Sequence, residues 1–158
     1  MSLHAPALDP STVEPSRTSG YPDPYRSRVL PRAKRRLGAA LGLTRIGVNL
    51  TTLAPGRESS MRHWHTHEDE FVYVLEGELV LRTDTGEQIL TPGMCAGFPA
   101  GSGDGHQLVN RGAVPAVYLE ISNRDAEDGA RYSDPEVDLE WNPPHARGRF
   151  TRRDGTPY

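Results

Sequence analysis

A chain of 158 residues with 35% hydrophobic and 25% charged residues, 16 Gly and 14 Pro is sized for one turn-rich globular domain with a tail at each end. Its net charge of −3 provides no global basic field, and no stretch approaches the ~18 apolar residues of a membrane helix, so neither nucleic acid nor a membrane is an expected partner. The single cysteine, Cys95, excludes an internal disulfide, and the N-terminus has neither a secretory nor an organelle-targeting pattern, which together predict a cytoplasmic protein.

Residues 1–25 are rich in Pro, Ser and Asp and read as an extended arm. The basic run Pro31-Arg32-Ala33-Lys34-Arg35-Arg36 is short enough to be a solvated surface, and the following residues up to Leu43 predict one or two helical turns weakened by two glycines. Residues 1–43 are therefore expected to form an N-terminal arm with a short helical cap. From Thr44 the pattern changes to short segments alternating on a period of two. Strands are predicted at 45–53, 60–65, 70–76, 78–83, 87–91, 94–98, 105–109 and 115–122, separated by breaks such as Pro55-Gly56, Gly77, Pro92-Gly93 and Asn110-Arg111-Gly112. The expected fold is all-β, one barrel domain over 44–123. Residues 124–158 form an acidic, Pro-containing C-terminal extension packing on the barrel, with an edge strand at 148–152 after the break at Asn142-Pro143-Pro144.

The chemistry-bearing residues cluster in the middle of the chain. His63-Trp64-His65 lies in a strand-like run, so its two imidazoles project to one side and Trp64 to the other. A tight turn over 66–69 brings Glu70 back beside them, and His106 opens a later strand after a glycine-rich turn. Three neutral imidazoles and one carboxylate suit a divalent transition metal such as Zn, Fe, Mn or Ni, with open positions left for water or substrate. His67 and the carboxylates of Glu68 and Asp69 are expected to be solvated turn groups, and Cys95 a buried, inert thiol. Phe98, Gln107 and Tyr118 are candidate pocket-lining residues, although alternation sets Gln107 opposite His106.

These residues resemble the two motifs of the cupin superfamily. Gly56 to Gly77 resembles G-x5-H-x-H-x3,4-E-x6-G, and Gly93 to Asn110 resembles G-x5-P-x-G-x2-H-x3-N. Six residues rather than five precede His63, and four rather than two separate Gly101 from His106; both differences fall in turns, where insertions are tolerated. The resemblance, to small single-domain bacterial cupins, implies a double-stranded β-helix or jelly-roll barrel with metal ligands at His63, His65, Glu70 and His106. It also implies a metal-dependent enzyme on a small polar substrate, as a dioxygenase or a sugar-phosphate isomerase-like protein; the alternative is a non-catalytic small-molecule-binding or sensing module. Finally, if Glu70 faces inward, Phe71, Tyr73 and Leu75 form an apolar outer face that must be covered by the N-terminal arm or a second subunit, which predicts a homodimer.

Overall fold

The computed structural model describes residues 3–143 and 149–158. Among these the regular structure is mostly strand: β1 (Arg32–Arg36), β2 (Ile46–Leu53), β3 (His63–His65), β4 (Glu70–Glu76), β5 (Leu79–Thr83), β6 (Gly86–Leu90), β7 (Cys95–Phe98), β8 (Gln107–Val109), β9 (Ala116–Asn123), β10 (Ala130–Tyr132), β11 (Glu140–Asn142) and β12 (Arg149–Thr151). Pro144 and Gly148, at the expected break and edge strand, lie outside the described residues. The helices α1 (Arg26–Val29) and α2 (Leu37–Ala40) are single turns, and no helix among the described residues is long and apolar enough to cross a membrane.

The strands form three antiparallel sheets of the jelly-roll kind, in the orders β1-β2-β9-β4-β7, β12-β11-β10-β3 and β6-β5-β8. Period-two alternation decides what the first of these presents inward. Glu70, Val72 and Val74 share the inner face with Ser122, Glu120 and Tyr118 of β9, their direct partners. Registry then carries the face across Asn49 and Thr51 of β2 to Arg36 and Lys34 of β1.

Two apolar clusters hold the sheets together. One joins Leu53, Val72, Val74, Leu79, Leu81, Leu90, Leu108, Ala116 and Tyr118 inside the barrel, each large side chain contributing about 1.5–3 kcal/mol by leaving water. The other is made by the two ends of the chain. Tyr21, Tyr25 and Val29 pack with Met61, Ala130, Tyr132, Val137 and Leu139, so the arm and the C-terminal extension meet against β3. The basic run is not a solvated surface: Arg32–Arg36 is a paired strand, with Arg32 opposite Leu53 and Arg36 opposite Asn49. Only α2 remains of the expected helical cap.

One turn is sterically specified. Gly77, between β4 and β5, has φ 74°, and a Cβ there would stand 2.9 Å from the Ala116 Cα and 3.0 Å from the Pro115 carbonyl.

Candidate metal centre

The arrangement of the four predicted side chains follows from strand pairing. His63 and His106 are antiparallel neighbours that exchange backbone hydrogen bonds, His63 N–H to the His106 carbonyl at 3.1 Å and His106 N–H to the His63 carbonyl at 2.8 Å. Directly opposite residues present their side chains to the same face. His65, two positions along β3, joins them, and Trp64 points the other way opposite Arg131 of β10. Glu70 is the first residue of β4 and comes in from the facing sheet.

All four side chains converge. His106 Nε2, His65 Nε2 and His63 Nε2 lie 2.8, 3.5 and 4.0 Å from Glu70 Oε2, and the Nε2 atoms of His63 and His65 are 3.1 Å apart. The backbone fixes which nitrogens carry protons. A carbonyl only accepts, so His63 Nδ1 donates to the Met61 carbonyl at 2.9 Å and its Nε2 keeps a bare lone pair. Burial, together with His65 and His106 nearby, lowers the His63 pKa to about 3, so the ring is neutral at physiological pH. Burial alone would raise the Glu70 carboxyl, but His106, His65 and His63 hold it well below the usual carboxylate range.

His65 is held by a residue the sequence reading did not select. Its Nδ1 donates to Asp128 Oδ2 at 2.6 Å, while Asp128 Oδ1 accepts the backbone N–H groups of His67 at 2.9 Å and Glu68 at 3.1 Å. Asp128 is fully buried. Burial opposes its charge, yet the His65 hydrogen bond and the two backbone donors lower its pKa to about 2. The same carboxylate, with Glu70 and Glu68, raises the His65 pKa against the effect of burial. An acid in an acid-rich stretch, Asp125-Ala126-Glu127-Asp128, carries no sequence mark that separates it from its neighbours.

These donors fit a divalent transition metal. With both Nδ1 protons committed, the neutral rings of His63 and His65 turn two Nε2 lone pairs toward one point, 3.1 Å apart. Beside them Glu70 Oε2 is buried without an aligned hydrogen-bond donor. A cation among them satisfies all three at once, and borderline nitrogen donors with one carboxylate favour Zn, Fe, Mn or Ni over Mg or Ca. His63, Glu70 and His106 form one such group; His65, with its Nε2 turned toward that group, also belongs to a second one with Glu68 and Asp128.

A cavity of about 200 Å³ opens beside Glu70 and His106. Of the expected lining, Tyr118 borders it, and the Phe98 ring stacks on His106 at 3.6 Å and 5°, fixing the imidazole plane. Gln107 does not line it; fully buried, it donates to the Ser60 carbonyl at 2.6 Å and accepts from Arg82 at 2.9 Å. His67 and Asp69 are exposed turn residues, as expected. Glu68 is not solvated: it is 3% exposed, its Oε1 accepting the Asp125 N–H. Cys95 is not buried either, because it stands on the outer face of β7 opposite Tyr73. Glu120, also missed, borders the cavity with one oxygen held by Lys34 and, at 3.0 Å, by Asn49.

Residues 49–122 match the cupin domain family model. Over 97% of its length the chain is 44% identical to a sugar phosphate isomerase of the cupin superfamily from Silicibacter pomeroyi DSS-3, covering 96% of that chain with a TM-score of 0.91. A protein from Acidithiobacillus ferrooxidans ATCC 23270 is 29% identical, each chain covered over 80%, with a TM-score of 0.71. Among curated proteins, the tetracenomycin polyketide synthase protein TcmJ from Streptomyces glaucescens is 42% identical over 71 residues, a match spanning 44% of this chain and 46% of that protein. Paired motifs, jelly-roll strands and a full-length relative agree: the chain belongs to the cupin superfamily.

Proposed function

We propose that the protein is a metal-dependent enzyme of the isomerase class acting on a small polar carbonyl compound, with the metal on His63, His65, Glu70 and His106. The observation that carries this reading is the convergence on Glu70 Oε2 of three imidazole Nε2 atoms, those of His63 and His65 with their ring protons committed elsewhere. A divalent metal bound there supplies a Lewis acid that polarises a substrate carbonyl or hydroxyl. The chain supplies the remainder. Phe98 and Asp128 fix imidazole planes, and Glu120 offers a carboxylate in the same cavity, oriented by Lys34, Asn49 and Thr51. Glu120 taking a proton from the hydroxyl-bearing carbon beside the carbonyl and returning it to the carbonyl carbon, while the hydroxyl proton passes to the former carbonyl oxygen, is a hydroxy-carbonyl isomerisation. The full-length relative from S. pomeroyi, itself a sugar phosphate isomerase, supports this class over a dioxygenase.

The test is elemental analysis of protein purified without a metal-affinity column. One metal per chain is expected, lost in His65→Ala and kept in His67→Ala. Full metal in His65→Ala would overturn the ligand assignment. Iron together with oxygen consumption would redirect the reading to a dioxygenase, and no metal even after loading would leave the binding-module alternative.

The apolar outer face supports a homodimer as part of the same proposal. Phe71, Tyr73 and Leu75 are 38, 37 and 40% exposed, uncovered by the arm, and Met94 beside them is 47% exposed. A second copy is the cover we propose for this face.

A further inference from the structure

The alternation that places Glu70 inside the barrel places Arg32 and Lys34 there as well. Both border the cavity beside the metal centre, and Arg32 also borders the adjoining cavity lined by His63 and His65. Their charges are managed differently. Lys34 Nζ is paired with Glu120. Arg32 is half-buried, and only its Nη1 is engaged, donating to the Ser59 carbonyl at 2.6 Å. Its Nε is buried without an acceptor. Neither carboxylate of the cavity, Glu70 or Glu120, comes within ion-pair distance of it, and no other described residue does.

A guanidinium taken partly out of water with no counter-charge is unfavourable unless something negative completes it. A guanidinium that lines a cavity with no carboxylate partner is the donor group best suited to hold an oxyanion there. Resting on the metal-enzyme reading above, we infer that Arg32 seats an anionic group of the substrate, a carboxylate or a phosphate, while the rest of the molecule reaches toward Glu70 and His106. At about 200 Å³ the cavity shared by Arg32, Glu70 and His106 has room for a compact anionic group. The hydrogen bond to the neutral Ser59 carbonyl holds Arg32 against the cavity but supplies no counter-charge; an anion in the cavity does.

The experiment uses zinc-loaded protein labelled with ¹⁵N-arginine, titrated separately with inorganic phosphate and with acetate at constant ionic strength, following the Arg32 Nε–H resonance assigned by its loss in Arg32→Lys. A saturable shift at Arg32, with none at exposed Arg26 or Arg111, is expected. Calorimetric affinity for the same anion should fall at least tenfold in Arg32→Gln at unchanged zinc content, with Arg32→Lys in between. A response to phosphate alone assigns phosphorylated substrates, and to acetate alone carboxylic acids. Absence of a saturable Arg32 shift with both probes, or equal affinity in Arg32→Gln, overturns the inference. Should the protein refuse zinc, iron, manganese and nickel alike, the metal reading fails, and the same titration on the metal-free chain still decides the role of Arg32.

Discussion

Replacing Asp128 by Asn tests whether the imidazole tautomer governs the metal centre. The two carboxylate oxygens have separate tasks: Oδ2 accepts from His65 Nδ1 at 2.6 Å, and Oδ1 accepts the N–H groups of His67 and Glu68. In Asp128→Asn the amide oxygen can serve only one side. If it keeps the two backbone donors, the amide NH₂ faces His65 Nδ1, which must then accept; the proton moves to Nε2, and His65 ceases to be a ligand. If the amide turns over, its NH₂ confronts two backbone N–H groups. Both arrangements are unfavourable. The partners that orient metal-bound histidines are typically worth about 10–100-fold in affinity, or about 1.4–2.8 kcal/mol. The metal-free protein should also lose about 2 kcal/mol at neutral pH, since a carboxyl held at about 2 rather than 3.8 is stabilised by that much. Competition titration against a chromophoric chelator measures the first effect, and ¹⁵N shifts of the His65 ring report the tautomer, which a merely structural loss would leave unchanged. Zinc affinity within twofold of the parent, with His65 Nε2 still unprotonated, would refute the reasoning.

Three other outcomes follow from the structure. The metal-free protein should lose stability as pH falls: His63 has a folded pKa of about 3 against 6.5 unfolded, so only the unfolded chain takes up the proton between those values, and stability drops by up to ~1.4 kcal/mol per pH unit from 6.5 downward. His65, with a raised pKa, acts oppositely and only above 6.5, its contribution being lost as pH rises through its folded pKa, so urea unfolding of the stripped protein should show a maximum rather than a plateau. Gly77→Ala forces a left-handed backbone on a Cβ 2.9 Å from Ala116, which should cost on the order of 1–3 kcal/mol and lower Tm by several degrees in a calorimetric scan, with a change under one degree counting against the turn argument. Tyr73→Glu, on the exposed apolar face, should convert dimer to monomer by light scattering at unchanged metal content; an unaltered mass would place the interface elsewhere.

What the sequence disclosed and what it hid divide along a physical line. Strands long enough to alternate and bounded by glycine turns, such as β4, β5 and β6, announce themselves whatever they pair with, and β4 runs over the expected 70–76. The convergence of the four side chains was legible because His63, His65 and Glu70 sit at the strand ends where alternation and one turn bring them together, and His106 because its motif spacing differs only within a loop. By contrast, β10 and β11 are three-residue strands too short to show alternation, and β10 takes its place from β3, an element distant in the chain. Asp128 belongs to that class, since its role exists only because β10 docks beside His65. The basic run is the instructive case. Arg32, Lys34 and Arg36 recur every second residue, which is itself a strand signature, but a charged face is ordinarily read as the wet one. What reverses that reading is the pairing of β1 with β2, which turns the charged side toward Glu120 and the cavity and leaves Ala33 buried on the other side. Inward-facing charge on a strand is expensive unless it meets opposite charge or a ligand. In a barrel whose floor already holds Glu70 and three imidazoles, alternating cations at its edge are therefore better evidence of a substrate than any apolar position in the same strand.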